Sequence, residues 1–327
     1  MSFIENIKKR AKDNKKTIIL PETMDDRILK AALICEQESI ANIILIGNEN
    51  EILKKYPELK NSTIINPHQS SYTEKLINDF YELRKEKGVT LDSARETLLN
   101  DNMYYACMLL HNGIGDGIVS GACHSTSNTL RPALQIIKTA PNSKLVSSFF
   151  LMIVPDCKYG YNGTFIFSDA GLEPNPTPEK LASIAVASSD SFELLTGQQA
   201  ITAMLSFSTY GSAKHDDVTK VKEAVKIAKQ EYPNYTIDGE LQLDAAIVPE
   251  VAQLKCPSSS VAGRANVLIF PDLDSGNIGY KLVQRLGKAE AYGPITQGIK
   301  KPVNDLSRGC SVDDIIGVIA ITSVQSK

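Results

Sequence analysis

The chain has 327 residues, enough for two domains of ordinary size. It is 43% hydrophobic and 22% charged with a net charge of -3, and no basic block dominates, so the composition argues against a nucleic-acid partner. No apolar segment reaches membrane-spanning length, and the basic cluster from Lys8 to Lys16 sits beside Glu5 and Asp13 with no apolar run after it, which argues against a signal peptide.

In chain order, Phe3, Ile4, Ile7 and Ala11 fall near helical spacing. Short β-branched runs then alternate with helical patterns. Strands are predicted at Thr17–Leu20, Asn42–Ile46, Thr63–Ile65 and Gly117–Gly121. Between them lie helical stretches at 26–38, 49–55, 72–87, 91–99 and 103–111. Strands separated by helices imply a parallel sheet covered on both faces, with ligands at the carboxyl ends of its strands. The second half repeats the pattern. Strands are predicted at 149–154, 164–167, 203–208 and 267–270, and helices at 130–138, 179–187, 218–230 and 276–286. The last helix, 312–323, is read as returning to the first domain. The division expected is 1–147 plus 298–327, and 148–297.

The densest polar stretch is Asn304-Asp305-Leu306-Ser307-Arg308-Gly309-Cys310-Ser311-Val312-Asp313-Asp314, just before the apolar run Ile315–Ile321. It reads as a polar loop leading into a buried helix. A helix start offers free N–H groups to an anion, and Arg308 adds a bidentate donor fork. Ser311-x-x-Asp314 is also a capping box, and spacing alone leaves both readings open. A second hydroxyl-rich turn, Ser120 to Arg131, lies at a strand-to-helix junction and suits either an oxyanion or helix capping. The glycine groups at 113–117 and 276–281 fit no Walker or dinucleotide pattern. The six cysteines form no C-x-x-C pair and the four histidines do not cluster, so no metal is expected, and scattered free thiols fit a reducing cytoplasm.

Several segments together resemble the phosphate acetyltransferase family in its short form. They are Pro302–Ser311, Ser120–Thr126 with Arg131, Asp238–Gln242 with Asp244, and Phe270–Leu273 with Ser275–Lys281. The resemblance runs over essentially the whole chain. It implies two three-layer α/β domains with mainly parallel sheets, a fold like that of isocitrate and isopropylmalate dehydrogenases, with the active site in an interdomain cleft. It also implies reversible acetyl transfer between acetyl phosphate and coenzyme A in a ternary complex. Coenzyme A is then a substrate, inorganic phosphate a product, and no cofactor, metal, nucleic acid or membrane takes part. A cytoplasmic homodimer is expected.

By the same likeness Asp314 is the base for the thiol, Ser307 bonds the reacting carbonyl or its adduct, and Arg308 orients the base. Arg131 holds phosphate with Ser125 and Thr126, and Arg84 matches a second anion-binding arginine. Arg27, Lys281 and Arg285 resemble coenzyme A contacts. Cys157 and Cys310 match thiols near the site and are not assigned as nucleophiles. The proton transfer is demanding. A free thiol near pKa 8.5 and a free aspartate near 3.9 differ by about 4.6 units, roughly 6 kcal/mol. The site must therefore raise Asp314 or stabilise the thiolate. The rivals are a phosphate butyryltransferase, a non-catalytic acyl-coenzyme A binder, and an oxidoreductase of the dehydrogenase fold, whose paired-aspartate metal site has no evident match here.

Overall fold

The computed structural model describes residues 3–141 and 143–326. Two compact units divide the chain, one formed by the residues up to Ala140 with those from Ile299 onward, the other by Pro141–Gly298.

The first unit opens with α1 (Phe3–Asp13), whose Ile4, Ile7 and Ala11 are buried as their spacing requires. There follow β1 (Thr17–Leu20), α2 (Asp26–Gln37), β2 (Asn42–Ile46), α3 (Glu49–Lys55) and β3 (Thr63–Ile65). Next come α4 (Thr73–Arg84), α5 (Leu91–Asn100), α6 (Asn102–His111), β4 (Gly117–Ser120) and α7 (Thr126–Ile136). α7 begins four residues ahead of the prediction because the Ser125 hydroxyl caps it by accepting the Asn128 N–H at 3.3 Å.

The second unit holds β5 (Ser147–Ile153), β6 (Thr164–Ser168), α8 (Pro178–Thr196), β7 (Thr202–Leu205), α9 (Asp216–Glu231) and β8 (Ile237–Leu241). It continues with α10 (Leu243–Ile247), α11 (Pro249–Lys255), β9 (Val267–Ile269), α12 (Leu273–Leu286) and β10 (Glu290–Gln297). Its sheet has the order β10-β5-β6-β9-β7-β8. The pairs from β6 onward are parallel, while β5 is antiparallel to both β6 and β10. Ser147 already pairs with Gln297, so the residues from Pro141 to Ser147, assigned to the first domain by sequence, lie in the second.

The chain then returns to the first unit as β11 (Val303–Asp305) and α13 (Val312–Gln325). The first sheet is wholly parallel, in the order β11-β4-β1-β2-β3. Ile19, Ile44, Ile118 and Val303 share one core cluster with residues of α4, α5, α6 and α7. α13 packs on α1, α2 and the strands β1, β4 and β11. Strand side chains alternate between faces, so the two helix groups cover opposite sides of the sheet. Asn304 anchors β11 to α13 through bonds to Thr322 Oγ1 (2.8 Å) and Gln325 Oε1 (2.6 Å). No described helix is long and apolar enough to cross a membrane.

Candidate active site

β4 and β11 lie side by side, and Ser120 faces Asp305 at their carboxyl ends. The two polar stretches singled out by sequence therefore leave adjacent strands at the edge where parallel sheets bind ligands. The approach of the two loops depends on Gly121. Its φ is +111°, and an added Cβ would fall 2.1 Å from Asp305 Oδ1 and 2.6 Å from Leu306 N.

After β11 the loop exposes Ser307, Arg308 and Gly309 and then buries Cys310. It is shaped by a turn in which Cys310 N–H donates to Ser307 O at 2.9 Å. α13 starts with the full capping box. The Ser311 hydroxyl accepts the Asp314 N–H at 3.1 Å, and the Asp314 carboxylate accepts the Ser311 N–H at 2.8 Å. The structural reading of that spacing is thus realised, with one Asp314 oxygen engaged. The Arg308 guanidinium has no hydrogen bond or ion pair among the described residues.

Arg27, at the start of α2, joins the two loops. Its Nε and Nη2 grip Asp25 at 3.1 and 2.7 Å. Nη1 donates to Arg308 O at 2.9 Å and Cys310 O at 2.8 Å, and Nη2 donates to Ala122 O at 2.8 Å. A guanidinium has five N–H donors, and these five bonds use them all. Arg27 was expected to touch coenzyme A; in this structure its donors are occupied inside the chain, where it holds the loops together. The Arg27 guanidinium in turn draws the Asp25 carboxyl below its usual range.

Glu22, just after β1, organises the β4–α7 turn and was missed from sequence. It is 1% exposed. Its Oε2 accepts the N–H groups of Gly121 and Ala122, both at 2.8 Å, while Oε1 faces the Cys123 N–H at 3.3 Å and His124 Nδ1 at 2.6 Å. The signal available was its position, an acid directly following a buried strand at the ligand edge of a parallel sheet.

The Thr126 hydroxyl donates to Asp305 Oδ2 at 2.7 Å, whereas Asp305 Oδ1 is buried with no partner among the described residues. Burial pushes the Asp305 carboxyl up to about 6. Ser125 is exposed at the N-cap of α7, and Arg131, one helical turn and a half further on, is exposed with no ion pair among the described residues. Arg84 closes α4, and its Nε is buried without a partner. Burial pushes the Tyr104 phenol up, and the charges of Arg131 and Arg84 oppose that shift.

Burial pushes the Cys310 thiol up to about 11, which suits a packed side chain and not a nucleophile. Cys157 lies half-buried against the core of the second unit. Lys281 and Arg285 are exposed on α12 of that unit; Lys281 Nζ lies 5.8 Å from the centroid of the Tyr280 ring, itself stacked on Phe150 at 3.7 Å. In both glycine groups a glycine has a packing role. Gly117 starts β4 at the opposite end of the sheet, and Gly276 lets α12 approach, since its Cβ would lie 2.3 Å from Asp169 O.

A model of the family described as Phosphate acetyl/butaryl transferase matches residues 2–323. A phosphate acetyltransferase from Acetivibrio thermocellus is 57% identical over 329 residues, covering 100% of this chain and 99% of the relative. One from Thermoanaerobacterium thermosaccharolyticum is 56% identical, covering 100% of both. Among solved structures, a phosphotransacetylase from Streptococcus pyogenes superposes with a TM-score of 0.92 at 42% identity, over 100% of this chain and 99% of its own. The chain belongs to the phosphate acetyl/butaryl transferase family.

Proposed function

We infer that the chain transfers acetyl reversibly between acetyl phosphate and coenzyme A, as the phosphate acetyltransferases it resembles do. The observation that carries the site assignment is the Arg27 bridge, which brings the loop from Ser307 to Asp314 against the β4–α7 turn. The unpaired guanidinium groups of Arg131 and Arg308 and the unpartnered Nε of Arg84 then serve a phosphoanion. Ser125 at the start of α7 adds a hydroxyl and the positive end of a helix. Thr126 acts one step back, by fixing Asp305.

In this reading Asp314 takes the proton from the coenzyme A thiol. The thiolate attacks the acetyl carbon, forming the C–S bond. Ser307 donates to the oxyanion of the tetrahedral adduct. The adduct collapses with cleavage of the bond to the phosphate oxygen, and phosphate leaves held by the arginines. Asp314 keeps one oxygen on the Ser311 N–H, which fixes the carboxylate and leaves its second oxygen for the thiol. Lys281 and Arg285 are assigned to coenzyme A. No cofactor is needed, since coenzyme A is itself a substrate. We place the protein in the cytoplasm as a homodimer, which sedimentation can check.

The test is thioester formation from coenzyme A with acetyl phosphate and, in parallel, butyryl phosphate, followed by ultraviolet absorbance. Rapid turnover with acetyl phosphate and little with butyryl phosphate is expected. Folded protein without turnover on either would leave only an acyl-coenzyme A binder.

A further inference from the structure

The β4–α7 turn contains a donor set that acetyl transfer does not use. Glu22 Oε1, Cys123 Sγ and His124 Nδ1 come from two segments and face one another. Their separations are 2.6 Å for Oε1–Nδ1, 3.3 Å for Oε1–Sγ and 3.6 Å for Sγ–Nδ1. A tetrahedral ion with metal–N and metal–O bonds near 2.0 Å and a metal–S bond near 2.3 Å needs such donors roughly 3.3–3.5 Å apart. The Oε1–Sγ separation of 3.3 Å falls in that range and the Sγ–Nδ1 separation of 3.6 Å lies just beyond it. The third is the length of a hydrogen bond, and it opens by about 0.7 Å once the bridging proton is replaced by the ion.

The chemistry of the set is selective. Magnesium and calcium take oxygen donors, whereas one sulfur, one imidazole and one carboxylate suit a borderline-soft ion. The support is also in place. The Glu22 carboxylate is held through its other oxygen by the Gly121 and Ala122 N–H groups, so Oε1 is presented in a fixed direction. Cys123 and His124 are exposed, which leaves an entry path and an open fourth position.

We propose that Glu22, Cys123 and His124 form a binding site for a zinc-like divalent ion, and that its occupation inhibits the enzyme. On binding, the Cys123 thiol releases its proton to solvent and the sulfur forms the metal bond. The hydrogen of the neutral His124 imidazole moves from Nδ1 to Nε2 through solvent, which frees the Nδ1 lone pair for the metal. No electron is transferred. The inhibitory consequence rests on the acetyl-transfer reading, because Cys123 and His124 directly precede Ser125 and Thr126. The site itself does not.

The experiment therefore separates the two. Co2+ is titrated into the metal-free full chain without coenzyme A, whose own thiol would compete. Wild type should give a thiolate-to-cobalt charge-transfer band at one equivalent, discharged by Zn2+. Cys123→Ser and, as a second variant, Cys123→Ala should lose the band while keeping the melting temperature and metal-free turnover. Absence of the band in wild type, or an equal band in both variants, would overturn the site. In the activity arm, Zn2+ should inhibit wild type at concentrations at least tenfold lower than either variant. Equal inhibition, with the band confined to wild type, would keep the site and overturn its inhibitory role.

Discussion

Asp314 is at once a capping residue and the proposed base, and Asp314→Asn separates the two roles. The asparagine side chain keeps an oxygen that can accept the Ser311 N–H now bound at 2.8 Å. What it loses is the charge at the amino end of α13, a term of about 0.3–1 kcal/mol. In a unit of this size that lowers the melting temperature by no more than about 4 °C. Loss of a general base, by contrast, costs about 10²–10⁴ in rate, or roughly 3–5 kcal/mol of barrier. Ser311→Ala is the control. It removes the cap hydroxyl that accepts the Asp314 N–H at 3.1 Å, costs about 0.5–2 kcal/mol of stability, and leaves the carboxylate in place. The assay is thioester formation per folded molecule, with thermal denaturation and coenzyme A binding measured on the same samples. Asp314→Asn should bind coenzyme A, melt near wild type and turn over at least about a hundredfold more slowly. Ser311→Ala should melt lower and stay active. Equal turnover losses in the two variants, tracking their stability, would refute the base assignment.

Three further outcomes follow from the packing around the two loops. Arg27→Lys can replace only part of a five-bond fork, leaving the part-buried carbonyls of Cys310 and Ala122 short of a donor at up to about 1–3 kcal/mol each. Turnover should fall by the same factor with coenzyme A and with a truncated pantetheine thiol. A loss confined to coenzyme A would assign Arg27 to the nucleotide end of that substrate. Gly121→Ala, with its Cβ 2.1 Å from Asp305 Oδ1 at φ +111°, should cost at least about 2–3 kcal/mol by chemical denaturation. An unchanged midpoint would mean the loops are not held this closely. Asp305 carries a pH signature. Its folded pKa is raised from 3.8 to about 6, so between those values the folded state keeps a proton that the unfolded chain has lost. Stability should fall as pH rises through that window, by up to about 3 kcal/mol, and Asp305→Asn should flatten the slope. An identical slope in the variant would assign it to other groups.

Four of the five strands of the first sheet were legible because runs such as Ile18–Leu20 and Ile43–Ile46 are continuously apolar and buried on both faces. Three strands were not. β8 reads Ile-Asp-Gly-Glu-Leu, a turn composition, yet Asp238 and Glu240 are buried and bonded to Lys229 and to Ser208. β10 contains Gly293-Pro294 at a register shift, and β11 is three residues with two polar side chains. In the site, the order of motifs identified the loops, but roles depended on partners far away in sequence. Arg27 looked free because its carbonyl acceptors belong to Ala122, Arg308 and Cys310. Cys123 and His124 looked unclustered because their third member, Glu22, lies 101 residues before Cys123, with β2, β3 and β4 between them.

The first unit is interrupted, and that has a consequence for the order of assembly on the ribosome. Pro141–Gly298 is contiguous and is available to fold as soon as it emerges, whereas the earlier unit waits for β11 and α13. Until then β4 has an open edge toward the place of β11, α1 and α2 lack the apolar helix that covers them, and Arg27 lacks two of its three loop carbonyls. A nascent chain stalled before residue 299 should therefore carry a structured second unit beside an incomplete, chaperone-dependent first one. The loop from Ser307 to Asp314 therefore reaches the β4–α7 turn only after the second unit has been made, so the first unit's site is assembled after the second unit's fold.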